Sequence, residues 1–84
     1  MASLSDLRRQ VDAVDRQVVE LLSRRMVLLK QIVARLEDDE VDKEREAQVL
    51  SNWLEEGFDY DLEEMSLEKI CKAVMEMGRK AKDN

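Results

Sequence analysis

The chain has no histidine and a single cysteine, Cys71, among its 84 residues. Zinc and haem sites depend on these two residue types, so neither is expected. Without histidine, and with no serine beside an activating partner, no nucleophile–base pair is evident, and acyl or glycosyl transfer is poorly supported. A lone cysteine fits a reducing compartment, so we expect a cytoplasmic protein in which Cys71 is a small buried residue.

Aromatic residues and net positive charge are also scarce. The three aromatics, Trp53, Phe58 and Tyr60, are too few and too scattered to form a stacking platform for bases. The 14 basic residues are outnumbered by 20 acidic ones, which gives a net charge of −6, so nucleic acid would be repelled. No apolar run reaches membrane length and no signal-peptide pattern is present, so no membrane partner is expected.

A long stretch without glycine or proline, residues 4–36, organises the rest of the chain. A helix of about 33 residues is roughly 50 Å long, too long for the remaining residues to cover. We therefore expect a homodimer, in which a second copy covers part of its apolar face. Arg25 and Arg35 continue the spacing of that face. Its apolar residues recur in steps of three and four: Leu4, Leu7, Val11, Val14, Val18, Leu21, Leu28 and Ile32.

No strand pattern and no proline occur, so the predicted fold class is all-α, with three helices in one domain over residues 1–84. The first helix starts at Ser3 or Ser5, since Ser3 and Asp6 have the spacing of a capping box. It ends before the four acids of residues 37–40, which oppose the helix dipole, and a loop over 37–42 follows.

The second helix is predicted from Asp42 or Lys43 to Glu56, with Gly57 as its C-terminal cap. The third is predicted from about residue 62 to residue 82, with Asp61 as its N-cap. Its inner face ends at Gly78 and then at either Ala81 or Lys82.

Each predicted helix carries charged residues where its pattern calls for apolar ones. They are Arg8 and Arg25 on the first helix, Arg45 and Glu46 on the second, and Lys82 on the third. One interpretation is an internal salt-bridge network, for example Arg25 with Glu46. The other is a solvent-poor pocket between helices where cations and one acid face a small anion. Such a site suits a reaction that needs only positioning and charge stabilisation.

Several segments resemble the all-α chorismate mutases. Residues 7–15 (LRRQVDAVD) and 21–26 (LLSRRM) are similar to the first helix of that family. Residues 42–46 (DKERE) resemble its Asp-x-x-Arg-Glu at the start of the second helix. Residues 74–76 (VME) resemble its Ile-Met-Glu-like block, at a matching distance from Glu46. The resemblance covers nearly the whole chain, and its specificity comes from the joint order of the motifs.

The resemblance implies an intertwined homodimer that converts chorismate to prephenate by a pericyclic rearrangement without a cofactor. Chorismate is a dicarboxylate. Arg25 would hold one carboxylate from its own chain, and the partner subunit's Arg8 would hold the other. Arg45 and Glu46 would lie on the second helix, with Glu46 accepting a hydrogen bond from the ring hydroxyl. Asp42 would order the loop that meets the substrate.

The sequence departs from the family pattern at three positions. The lysine expected three turns after Arg25 is Leu36 here, and the nearest cation is Arg35. Lys82 replaces the usual Gln or Glu, and Gly78 replaces a small hydroxyl residue of some members. We hypothesise that Lys82, or Arg35 if the first helix unwinds at its end, supplies the cation beside the ether oxygen, worth roughly 3 kcal/mol.

Two other functions are compatible with the sequence. One is a lyase acting on isochorismate, which is built on a similar scaffold. The other is a non-catalytic helical dimerisation module, whose polar residues set register and partner choice. For such a module, Arg25→Leu would retain or raise stability without loss of function.

Overall fold

A computed structural model describes residues 1–35 and 43–82, the side chain of Lys82 excepted. Within these ranges the chain is helical and has no strand, which confirms the predicted all-α class with three helices. Leu36, Asp42 and the predicted loop over 37–42 lie outside the described residues. The elements are α1 (Leu4–Arg35), α2 (Lys43–Asp59), α3 (Glu64–Arg79) and a 3₁₀ turn over Lys80–Lys82.

The start of α1 is the predicted capping box. The backbone N–H of Asp6 donates to Oγ of Ser3 at 3.1 Å, and the backbone N–H of Ser3 donates to Oδ2 of Asp6 at 3.3 Å. Two N–H groups that a helix terminus leaves unpaired are thereby satisfied by side chains.

Among the described residues, it is the second half of α1 that packs against other elements. An inner stripe, defined by Leu22, Met26, Leu29 and Val33, is partly covered, because this half of the helix contacts α3 and the 3₁₀ turn. The predicted stripe lies beside it, offset by one residue and hence by about 100° around the helix. Its eight residues stay 48% to 64% exposed, so the described part of the chain leaves them largely uncovered.

At the junction of α2 and α3, the prediction that Gly57 caps the end of α2 is wrong. The helix continues through Gly57 to Asp59, and Gly57 is buried. Leu67 on α3 packs so closely against it that a Cβ at this position would collide with Cδ2 of Leu67. Glycine at this position permits close helix approach and does not end the helix. The residue that caps α2 is Asp61, two residues after the last helical residue, and it adopts a left-handed φ of 58°.

This end is a Schellman motif. The N–H of Leu62 donates to the carbonyl of Gly57 at 3.0 Å, and the N–H of Asp61 donates to that of Phe58 at 3.3 Å. Asp tolerates the left-handed conformation that such a cap requires. Asp61 therefore belongs to the end of α2, and the prediction that it caps α3 is wrong.

Glu63 is the N-cap of α3. Its carboxylate accepts hydrogen bonds from the backbone N–H groups of Met65 at 2.7 Å and Ser66 at 3.3 Å, and from the hydroxyl of Ser66. These bonds favour the charged carboxylate, so the pKa of Glu63 is lowered, with the Ser66 side chain as the largest cause.

The third helix ends at Arg79, three residues before the predicted end. The chain continues as a 3₁₀ turn in which Ala81 is buried, with 5% of its surface exposed. Ala81, one of the two residues proposed to end the inner face, therefore packs inward. The small core also contains Val74, Met75 and Cys71, and Cys71 is fully buried as predicted.

None of the helices in the described ranges has the length and apolar composition that a membrane crossing requires.

Candidate active site

Arg25 is partly buried on α1, between the covered inner stripe and the uncovered predicted stripe. It faces the backbone of Gly78 on α3. A Cβ built on Gly78 would lie 3.2 Å from Nη1 of Arg25 and 2.8 Å from Cδ1 of Leu29. The missing side chain at Gly78 therefore creates the space that the guanidinium occupies.

The charge of Arg25 is not neutralised by an acid in the described part of the chain, where it forms no hydrogen bond or ion pair. The charge of Arg25 also affects the pKa of the buried Cys71. Burial raises the pKa of the Cys71 thiol, and the nearby positive charge of Arg25 opposes that rise. A guanidinium beside the core with unused donors is suited to binding an anion.

Glu46 does not form the salt bridge with Arg25 that the sequence suggested as an example of an internal network. It pairs with Arg79, whose Nε donates to Oε2 at 2.8 Å and whose Nη2 donates to Oε1 at 2.6 Å. The side chains are 25% and 46% exposed for Glu46 and Arg79 respectively. The hydrogen bond to Glu46, and then its charge, raise the pKa of Arg79.

Sequence reasoning missed Arg79, although one signal was present. Antiparallel helices joined by a short turn place the first turn of one beside the last turn of the other. Glu46 is in the first turn of α2 and Arg79 is in the last turn of α3. Opposite charges at those two positions predict the pair that forms. An open groove of about 510 Å³ runs between the two helices at this point.

Arg45, beside Glu46 on α2, is exposed. Its Nη1 donates to Oε1 of Gln48 at 3.0 Å, so this bond stays within α2.

Arg8 and Arg35 are both exposed and lie on α1 away from Arg25. The rise of the helix puts Arg8 about 26 Å and Arg35 about 15 Å from Arg25 along the axis. Arg8 of the same chain therefore cannot share a small ligand with Arg25. The helix remains regular through Arg35, so it does not unwind before this residue, and a role for Arg35 stays a prediction.

Two of the predicted residues, Arg25 on α1 and Glu46 on α2, are thus each held against the last turn of α3. Arg25 from α1 meets Gly78 on α3, and the next residue of α3, Arg79, holds Glu46 of α2. Lys82 follows in the 3₁₀ turn, but its side chain, like the whole of Asp42, lies outside the described part of the structure. The arrangement can hold an anion at Arg25 and offers a carboxylate acceptor at Glu46.

A family model described as chorismate mutase type II matches residues 7–82 of the chain. The matched range includes every candidate residue from Arg8 to Lys82 and reaches into all three helices. No curated protein matches the chain, and no solved structure matches it either.

Proposed function

The chain belongs to the type II chorismate mutase family, and we propose that it converts chorismate to prephenate in the biosynthesis of phenylalanine and tyrosine. The observation that carries this proposal is Arg25. Its guanidinium is partly buried against α3, has no ion pair among the described residues, and occupies space that Gly78 leaves open.

The proposed reaction suits these residues because it requires no nucleophile and no cofactor. One carbon–oxygen bond of the ether breaks and one carbon–carbon bond forms within a single molecule, so no atom or electron leaves the substrate. Holding the substrate in a reactive conformation and stabilising charge on the ether oxygen are enough. Arg25 would bind one carboxylate through two N–H donors.

The second carboxylate would be held across a homodimer. Arg8 of the same chain is about 26 Å from Arg25 along α1, so the partner subunit's Arg8 would supply this contact. The dimer would also cover the predicted stripe of α1, which the single chain leaves 48% to 64% exposed. Burying one such Val or Leu side chain fully is worth about 1.5–3 kcal/mol.

The remaining site residues would complete the contacts. Glu46 would accept a hydrogen bond from the ring hydroxyl, and Arg45 would lie beside it. Asp42 would order the loop that meets the substrate. Lys82 would place a cation beside the ether oxygen, in place of the lysine expected where Leu36 stands. Arg35 would do so instead if the first helix unwinds at its end.

The test of this proposal is the loss of chorismate absorbance in the presence of purified protein. The wild type is expected to consume chorismate, and Arg25→Ala to lose activity about 100-fold or more while remaining folded. The control is Arg24→Ala, because Arg24 is exposed on the same helix and precedes Arg25 by one residue. Full activity in Arg25→Ala, or none in the wild type, would contradict the proposal. Isochorismate is assayed in parallel, since pyruvate release from it would identify a lyase.

A further inference from the structure

The pair between Arg79 and Glu46 joins the last turn of α3 to the first turn of α2 by a two-point contact. Both nitrogen–oxygen contacts are short, at 2.8 Å and 2.6 Å, and they use both carboxylate oxygens. The two side chains are 46% and 25% exposed, and a pair with this two-point geometry contributes to folding as well as orienting the carboxylate. The two-point contact determines the direction of the Glu46 carboxylate.

We infer that Arg79 is a positioning residue for the reaction, which holds the Glu46 carboxylate aimed so that it accepts the substrate hydroxyl. The inference rests on the proposed function and adds a residue to it. Arg79 is adjacent to Gly78, which contacts Arg25. A single turn of α3 therefore contacts Arg25 through Gly78 and orients Glu46 through Arg79.

The charge of the substrate supplies a second reason. A dicarboxylate carries two negative charges, so a Glu46 carboxylate that accepts its hydroxyl would repel it if no cation lay beside that carboxylate. The Arg79 guanidinium offsets that repulsion without occupying the outer hydrogen-bonding capacity of the carboxylate, because each ionised oxygen has room for more than one donor. The other charged side chains of the groove are Lys69, Lys72 and Glu76, all on α3.

The experiment is a double-mutant cycle on kcat/KM with Arg79→Met, Glu46→Gln and the double variant. Arg79→Met is expected to lower kcat/KM about tenfold, the size of a lost hydrogen bond to a charged group. Adding it to Glu46→Gln is expected to cause no further loss, since Arg79 acts through the carboxylate. Arg79→Lys is expected to restore part of the activity, because it retains the charge but not the two-point contact.

The matched control is Lys72→Met. It removes one positive charge from the same helix and groove, but its ion pair is with Glu68, at 3.6 Å. Activity is expected to stay within about twofold, as an exposed i,i+4 pair contributes little. Thermal unfolding of each variant identifies any loss caused by misfolding, and Arg79→Lys serves as the readout if Arg79→Met does not fold.

Equal losses in Arg79→Met and Lys72→Met, or losses in the cycle that simply add, would overturn the inference while leaving the proposed function intact. The same cycle is measured on the Kd of a bicyclic dicarboxylate that mimics the transition state. This readout tests Arg79 even in a chain that shows no turnover. A wild type that neither converts chorismate nor binds the mimic overturns the inference together with the proposed function.

Discussion

The two halves of α1 share one repeating pattern but have different surroundings. From Leu4 to Leu21, every residue except Ala13 is exposed in the single chain. From Leu22 to Arg35, five residues are partly covered, because α3 and the 3₁₀ turn pack there. Apolar periodicity therefore identifies a helix face that is to be covered, but it does not identify what covers that face.

The largest effect is expected from a charge placed on the uncovered half. Val14→Asp would put a carboxylate within the proposed dimer interface, at a cost of about 3 kcal/mol or more. Sedimentation velocity is expected to show a wild-type dimer and a Val14→Asp monomer without activity. Val27→Asp is the control, because Val27 is exposed on the opposite side of α1 from the predicted stripe. A monomeric, active wild type would refute the assignment of this half to the interface.

A mixing experiment sharpens the comparison, because Arg8 lies in one half of α1 and Arg25 in the other. Arg8→Ala and Arg25→Ala are each expected to lose activity about 100-fold or more. After unfolding and joint refolding, the mixture is expected to regain roughly a quarter of wild-type activity. Half of the dimers then contain one chain of each variant. In such a dimer one of the two sites has both its Arg25 and its Arg8, and the other site has neither.

The control for this recovery is each variant refolded alone, which is expected to stay inactive. If the mixture also stays inactive although mixed dimers form, Arg8 does not act across the interface.

A smaller effect is expected where the covered half of α1 meets α3. Gly78→Ala would place a Cβ 3.2 Å from Nη1 of Arg25 and 2.8 Å from Cδ1 of Leu29. Alanine favours the helix by about 1 kcal/mol over glycine, which offsets much of this crowding. Stability is expected to change little, whereas kcat/KM falls several-fold as Arg25 is displaced.

Gly57→Ala provides the contrasting variant. Its Cβ would collide with Leu67 between α2 and α3, so a stability loss of about 1–3 kcal/mol is expected. The activity of its folded fraction should be retained. Urea unfolding and steady-state kinetics on both variants test this, and the same ranking of the two variants in both measurements would contradict it.

The smallest effect is expected at the exposed cap of α3, away from both halves of α1. The pKa of Glu63 is lowered in the folded chain, so its stabilising contribution is present above the ordinary carboxyl range and disappears as pH falls through the lowered value. Glu63→Gln is expected to lower the free energy of unfolding at pH 7 and to match the wild type near pH 2. Glu64→Gln is the control, and a difference that persists at pH 2 would argue against this origin.

Much of the local structure was predictable because its signals are local. Ser3 and Asp6 are three residues apart, and the capping box they predict is present. The burial of Cys71 follows from its place on an apolar helix face. The roles of Gly57 and Asp61 were predicted wrongly, since glycine after an apolar face indicates either a cap or a close helix contact. Only the position of Leu67 decides between them.

The candidate site was predictable in its residue types and only partly in its pairs. Arg25 stands out because it interrupts an apolar spacing, and the structure leaves its charge without an ion pair among the described residues. The pair between Glu46 and Arg79 joins residues 33 positions apart. Glu46 interrupts the pattern of its own helix, but only the antiparallel arrangement of α2 and α3 identifies Arg79 as its partner.

The amino-acid sequence by itself determined three helices, the start of the first one, the stripe along α1 and the membership of a family. Each depends on spacings within one helix or on the order of short motifs along the chain. Tertiary structure decided that the inner stripe of α1 meets α3, that Glu46 takes Arg79 as its partner, and that Gly57 serves helix packing. These outcomes depend on where two helices cross, because a side chain's partner is set by distance in space and the periodicity of a single helix contains no such distance.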